Sequence, residues 1–176
     1  VLAFGNPVVV QTTIDTISQK IQQFKASEFR GGFMTLGKRQ DHYIRDEVKP
    51  EDLRKNRRIL EDILEWIFSN CVIEPCWASL KINMKDKKEL DEIIGVSFVD
   101  SALVASQSEY VLYAEDAYLR TCVQNEPFFL TNSVWTQVVL LWLLAYGFIN
   151  YQKYSEAVNI IYNQLNYGEV IFSPNT

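Results

Sequence analysis

The strongest constraint on the fold is the way short β-branched runs pass directly into helical segments. Pro7-Val8-Val9-Val10 is continuously apolar rather than alternating, as a strand covered on both faces requires. A helix is predicted straight after it, from about Ile14 to Phe24, with Thr12 and Thr13 offering the N-cap. The stretch "YVLYAEDAYLR", Tyr110 to Arg120, repeats the pattern: strand material, then the adjacent carboxylates Glu115 and Asp116, then an amphipathic segment. Strands alternating with helices predict an α/β chain, a three-layer arrangement with a mostly parallel sheet flanked by helices. At 176 residues this is one domain with a sizeable core.

Between these two units the pattern varies. Residues 30–48 read as a hairpin turning near Gly37-Lys38. Pro50, with Glu51 and Asp52 beside it, suits a helix N-terminus. The helix that follows carries Leu53, Ile59, Leu60, Ile63, Leu64, Ile67 and Phe68 at helical spacing and ends near Asn70. "CVIEPCW" returns as a strand, a lysine-rich stretch holds a short helix ending at Gly95, and "SFVDSALVASQSE" is a helix capped by Ser97. Helices at Val134–Tyr146 and Gln152–Leu165 and a terminal strand "EVIFS" complete the chain.

In a parallel sheet, the carboxyl ends of the strands and the N-termini of the returning helices share one edge, where ligand sites form. Four acids are expected there. Glu115 and Asp116 follow a strand, Asp100 lies three residues after Ser97, and Asp15 lies three residues after Thr12. Singly, Asp15 and Asp100 read as members of capping boxes and Asp116 as a plain N-cap. Together, carboxylates on one rim repel unless a divalent cation lies between them. Mg²⁺ favours one or two carboxylates completed by water and phosphate oxygens, the requirement of metal-assisted phosphodiester hydrolysis.

"SFVDSALVASQSEYVLYAEDAYLR" resembles the C-terminal half of a PIN domain, in which an Asp opens a helix and a later strand delivers further acids. "VVVQTTIDTI" resembles an earlier segment of that family, and the tail from Asn132 to Ser173 resembles the extension of bacterial PIN-like domains within larger polypeptides. The chain departs from the family in two places. No strand ending in Asp precedes Val8, and Thr16 falls where the family has Glu, with Asp15 its neighbour. The resemblance implies a single PIN-like domain over 1–176, part of a larger protein, with a helical extension at about 131–176. It implies a metal-dependent ribonuclease in which Asp100 and Asp116 hold Mg²⁺ or Mn²⁺, Glu115 assists, and Asp15 orients water or a second ion. Substrate contacts would come from Thr12, Thr13, Arg54, Arg57 and Arg58, and the partners would be RNA and other domains of the parent chain. The alternative is a catalytically decayed PIN-like fold serving as a protein- or RNA-interaction module.

The remaining features narrow the field. "LRKNRRIL" places Arg54, Lys55, Arg57 and Arg58 on one helix, either as a solvated face balanced by Glu51, Asp52, Glu61 and Asp62 or as an RNA-backbone contact. The net charge of −5 argues against coating nucleic acid by bulk electrostatics. His42 is the only histidine, and Cys71, Cys76 and Cys122 lack metal-site spacing, so zinc and Cys–His chemistry are unsupported. Gly31-Gly32 alone does not make a phosphate cradle. The run Val138–Ile149 is too short to span a bilayer, no leader is read at the N-terminus, and a reducing cytoplasm is expected. Trp135, Trp142, Tyr146 and Phe148 are expected in part to meet another domain.

Overall fold

The computed structural model describes residues 5–39, 42–107, 109–129 and 131–164. The described residues divide into two compact units, the first ending at Tyr110 and the second beginning at Val111.

In the first unit, β1 (Val8–Val10) runs without a loop into α1 (Gln11–Phe29). A hairpin of β2 (Phe33–Arg39) and β3 (His42–Val48) leads to α2 (Pro50–Asn70) and β4 (Val72–Glu74). A 3-10 turn at Trp77–Lys81 then precedes α3 (Met84–Ile94) and α4 (Val96–Ala105). β1 and β4 pair in parallel, Val8 opposite Val72 and Val10 opposite Glu74. α1 lies along α2, and α4 packs on β1, α1, α3 and the 3-10 turn. The core gathers Val10, Ile14, Ile21, Leu53, Ile67 and Leu90 with most of α4. Fully burying a side chain such as Leu53 or Val99 contributes about 1.5–3 kcal/mol.

Glycine decides two junctions in this unit. Gly31 (φ 86°) and Gly32 (φ 92°) close α1, their amides donating to Glu28 O and Ser27 O. This is the left-handed C-terminal cap that satisfies the last carbonyls of a helix. Gly95 (φ 88°) both ends α3 and starts α4, so the two helices meet at one residue.

In the second unit, β5 (Leu112–Tyr113) leads through α5 (Ala117–Asn125) to β6 (Ser133–Val134), and the two strands pair in parallel. α6 (Thr136–Ala145) and α7 (Tyr151–Gln164) follow and pack together. Leu112, Ala114, Val123 and Phe129 are the buried apolar residues. Trp142 stacks on Phe148 and tilts against Tyr146, with ring centroids 5.4 and 4.6 Å apart. Phe148 and Tyr146 remain substantially exposed.

The α/β class stands, and each pair bridged by a helical crossover is parallel. One continuous sheet is not seen among the described residues, where strands form three two-stranded sheets, β1-β4, β2-β3 and β5-β6. The hairpin ladder continues past Gly37-Lys38 to Arg39 opposite His42, so those two residues are strand and not turn. The expected strand "EVIFS" lies outside the described residues. No helix among the described residues is long and apolar enough to cross a membrane.

Candidate functional site

Both expected capping boxes fail for one reason: the helices begin earlier than the cap-forming residues suggest. α1 starts at Gln11 directly off extended Val10 (φ −75°, ψ 146°), with no side-chain cap. Thr12 and Thr13 are therefore inside the first turn, and Asp15 is beyond it. The Thr12 hydroxyl is buried without a hydrogen-bond partner, its carbonyl accepts from the Thr16 hydroxyl at 2.7 Å, and exposed Asp15 accepts from Gln11 Nε2 at 3.0 Å. α4 starts at Val96 because Gly95 makes the turn, so Ser97 does not cap and Asp100 also falls beyond the first turn.

Asp100 occupies an unusual place. α4 is apolar on nearly every side, and Asp100 is its buried charged residue, 4 % exposed. Lys87 Nζ of α3 lies 3.2 Å from Asp100 Oδ1 and 2.9 Å from Asp91 Oδ2. The contact to Asp100 is a charge pairing and not an aligned hydrogen bond, since Oδ1 has no hydrogen-bond partner. Burial pushes the Lys87 ammonium down, but the Asp91 hydrogen bonds and the Asp100 charge outweigh it and hold it above the usual lysine value. The Cys76 thiol is pushed up by burial and then by the Asp100 charge.

Glu115 and Asp116 are adjacent because each completes a different helix start. Asp116 is the N-cap of α5, its Oδ1 accepting from Leu119 N–H at 3.1 Å. Glu115 Oε1 accepts from the backbone N–H of Thr136, the first residue of α6, at 2.9 Å, and from the hydroxyls of Thr136 and Tyr113. Arg120 secures the same corner, donating to Ala114 O at 2.8 Å and Glu115 O at 2.5 Å while its guanidinium lies 4.4 Å from the Trp135 ring centre. Partial burial pushes the Glu115 carboxyl up. The two hydroxyls, the Thr136 amide and the Arg120 charge outweigh this and leave it below the usual range.

The basic helix is tied inward. Glu28 of α1 takes Arg54 Nε at 2.8 Å and Arg57 Nε at 3.3 Å, and Arg57 Nη1 also holds Glu61 at 2.8 Å. Glu28 is the partner that one-dimensional reading missed, because it is brought in by α1–α2 packing. Arg58 is exposed, as is His42. Cys71, Cys76 and Cys122 are free. Sequence reasoning also missed Lys87, Tyr113 and Thr136. A charge inside an apolar helix was a signal that Asp100 needed a cation, but nothing identified which one.

The family described as the PIN domain associated with the TPR-GreAB-C-PIN system matches residues 1–124. The chain belongs to the PIN domain family. No curated protein and no solved structure matches. The match supports a PIN fold of nuclease-like type, and PIN domains generally use divalent metals. The carboxylates of this PIN domain do not fit such an ion as they stand. Among the described residues no three His, Cys, Asp or Glu side chains are grouped to hold one. Asp100 already faces an ammonium, Glu115 has its Oε1 filled by three donors, and Asp116 caps α5.

Proposed function

We propose that this PIN domain is an interaction module of a larger cytoplasmic multidomain protein, its signature carboxylates serving the fold instead of a self-contained hydrolytic site. The observation carrying this reading is the division of labour at Glu115 and Asp116, one closing the start of α6 and the other the start of α5. We take 1–176 as one PIN-like domain with a helical extension from about residue 131. In support, the family match runs through the division at Tyr110 and ends before β6.

A second reading, a metal-dependent ribonuclease, is favoured by the buried Asp100 Oδ1, which still lacks a hydrogen bond. Under it Asp100 and Asp116 would hold Mg²⁺ or Mn²⁺, with Glu115 and Asp15 assisting and Thr12, Thr13, Arg54, Arg57 and Arg58 near RNA.

Thermal melts of wild type and Asp116→Asn, with and without Mn²⁺, separate the readings. Asn is as good an N-cap as Asp, so the substitution removes charge while keeping the cap. The interaction module predicts no manganese shift in either protein and no cleavage of single-stranded RNA. A manganese stabilisation lost in Asp116→Asn, together with RNA cleavage lost in the same variant, would establish the nuclease instead.

A further inference from the structure

The buried acid of α4 and the lysine beside it carry a deeper reading of this site, one that rests on the interaction-module proposal. Asp100 is buried in an apolar helix, where an unpaired carboxylate costs several kcal/mol unless a cation meets it. Lys87 meets it from α3 at 3.2 Å, and the same ammonium is anchored at 2.9 Å by Asp91, one turn along its own helix. Asp91 thereby positions the charge toward α4. The Lys87 side chain is only 20 % exposed, so water screens this pairing little.

We infer that Lys87 is a built-in counter-cation that holds the position at Asp100 which a divalent ion would otherwise take. The ammonium supplies positive charge without coordination geometry, and so stabilises the fold while closing Asp100 to metal. Two consequences follow, and the first distinguishes this from an ordinary ion pair. Removing the lysine should leave Asp100 unpaired and responsive to added divalent cation. Removing both charges should restore much of what the single change loses, because the second substitution removes the orphaned acid.

The experiment is a set of thermal melts, with and without Mn²⁺, on wild type, Lys87→Met, Asp100→Asn and the double variant. Lys87→Met should melt about 5–10 °C below wild type and recover part of that loss in Mn²⁺. The double variant should lose less than the sum of the two single losses and ignore the metal. Additive losses, or a Lys87→Met protein that does not respond to Mn²⁺, would overturn the inference while leaving the interaction module standing. A wild type stabilised by Mn²⁺ through Asp100, with the shift lost in Asp100→Asn, would overturn both. Should Lys87→Met fail to fold, the double variant decides: a folded, metal-indifferent protein supports the counter-cation, and an unfolded one rejects it.

Discussion

Glu115 shows how one carboxylate can be removed from chemistry by its surroundings. Its Oε1 receives a backbone amide and two hydroxyls, and these donors favour the ionised form over the opposing effect of partial burial. The folded-state pKa is therefore depressed. Its contribution to stability is present above the unfolded value of about 4.3 and is lost as pH falls through the lower folded value. Glu115→Gln should cost about 1–2 kcal/mol near neutral pH, the worth of hydrogen bonds to a charged group reduced by partial exposure. Urea melts from pH 7 down to pH 3 should show the gap between variant and wild type closing toward the acid end. A constant gap would mean that the charge is irrelevant. Asp116 gives a simpler contrast. Asp116→Ala should lose about 1 kcal/mol and Asp116→Asn only a few tenths, since the cap needs an oxygen acceptor and not a charge.

At the scale of elements, the junctions decide where helices begin and end, and they decided which acids were misplaced. The strand and helix segments themselves were legible: Val8–Val10 as a β-branched run, Pro50 opening α2, and Gly95 ending α3. Thr12 and Ser97 misled because cap-forming residues also occur inside first turns, and an extended Val10 or a left-handed Gly95 can start a helix unaided. Thr12→Ala and Thr13→Ala should consequently cost far less than the ~1 kcal/mol of a lost cap, which equilibrium denaturation would measure. The partners Lys87 and Glu28 were illegible for a different reason. Both act across helix–helix contacts, and no local pattern encodes which residues such packing unites. Gly31 and Gly32 offer an element-scale test of the α1 terminus. A Cβ on Gly31 meets nothing within 4 Å, whereas one on Gly32 would lie 2.3 Å from Val48 O. Gly31→Ala should therefore show only the left-handed cost of about 1–2 kcal/mol, and Gly32→Ala should exceed it because β3 must also shift. Equal losses would refute the close approach.

Over the whole molecule, the two units differ in how their apolar residues are used. The first wraps α4 so completely that Val99, Ala102, Leu103, Val104 and Ala105 are all buried. The second buries Leu112, Ala114, Val123 and Phe129, all before α6. α6 is as apolar as a core helix, "TQVVLLWLLA", yet Thr136 to Leu144 are only partly covered and Ala145 is exposed, and α7 contributes no buried residue among those described. Local stability follows buried apolar contact, so units of unequal burial open at different free energies. Amide hydrogen exchange should therefore leave α4 protected to the level of global unfolding while α6 and α7 exchange through smaller openings. The expected ratio is at least tenfold, since each ~1.4 kcal/mol of lost local stability is a factor of ten and one uncovered large side chain is worth about that much. Dilution is the necessary control, because self-association through the exposed Tyr146 and Phe148 rings would slow α6 in a concentration-dependent way. Protection of α6 equal to that of α4 and independent of concentration would show that burial in this unit does not set its stability.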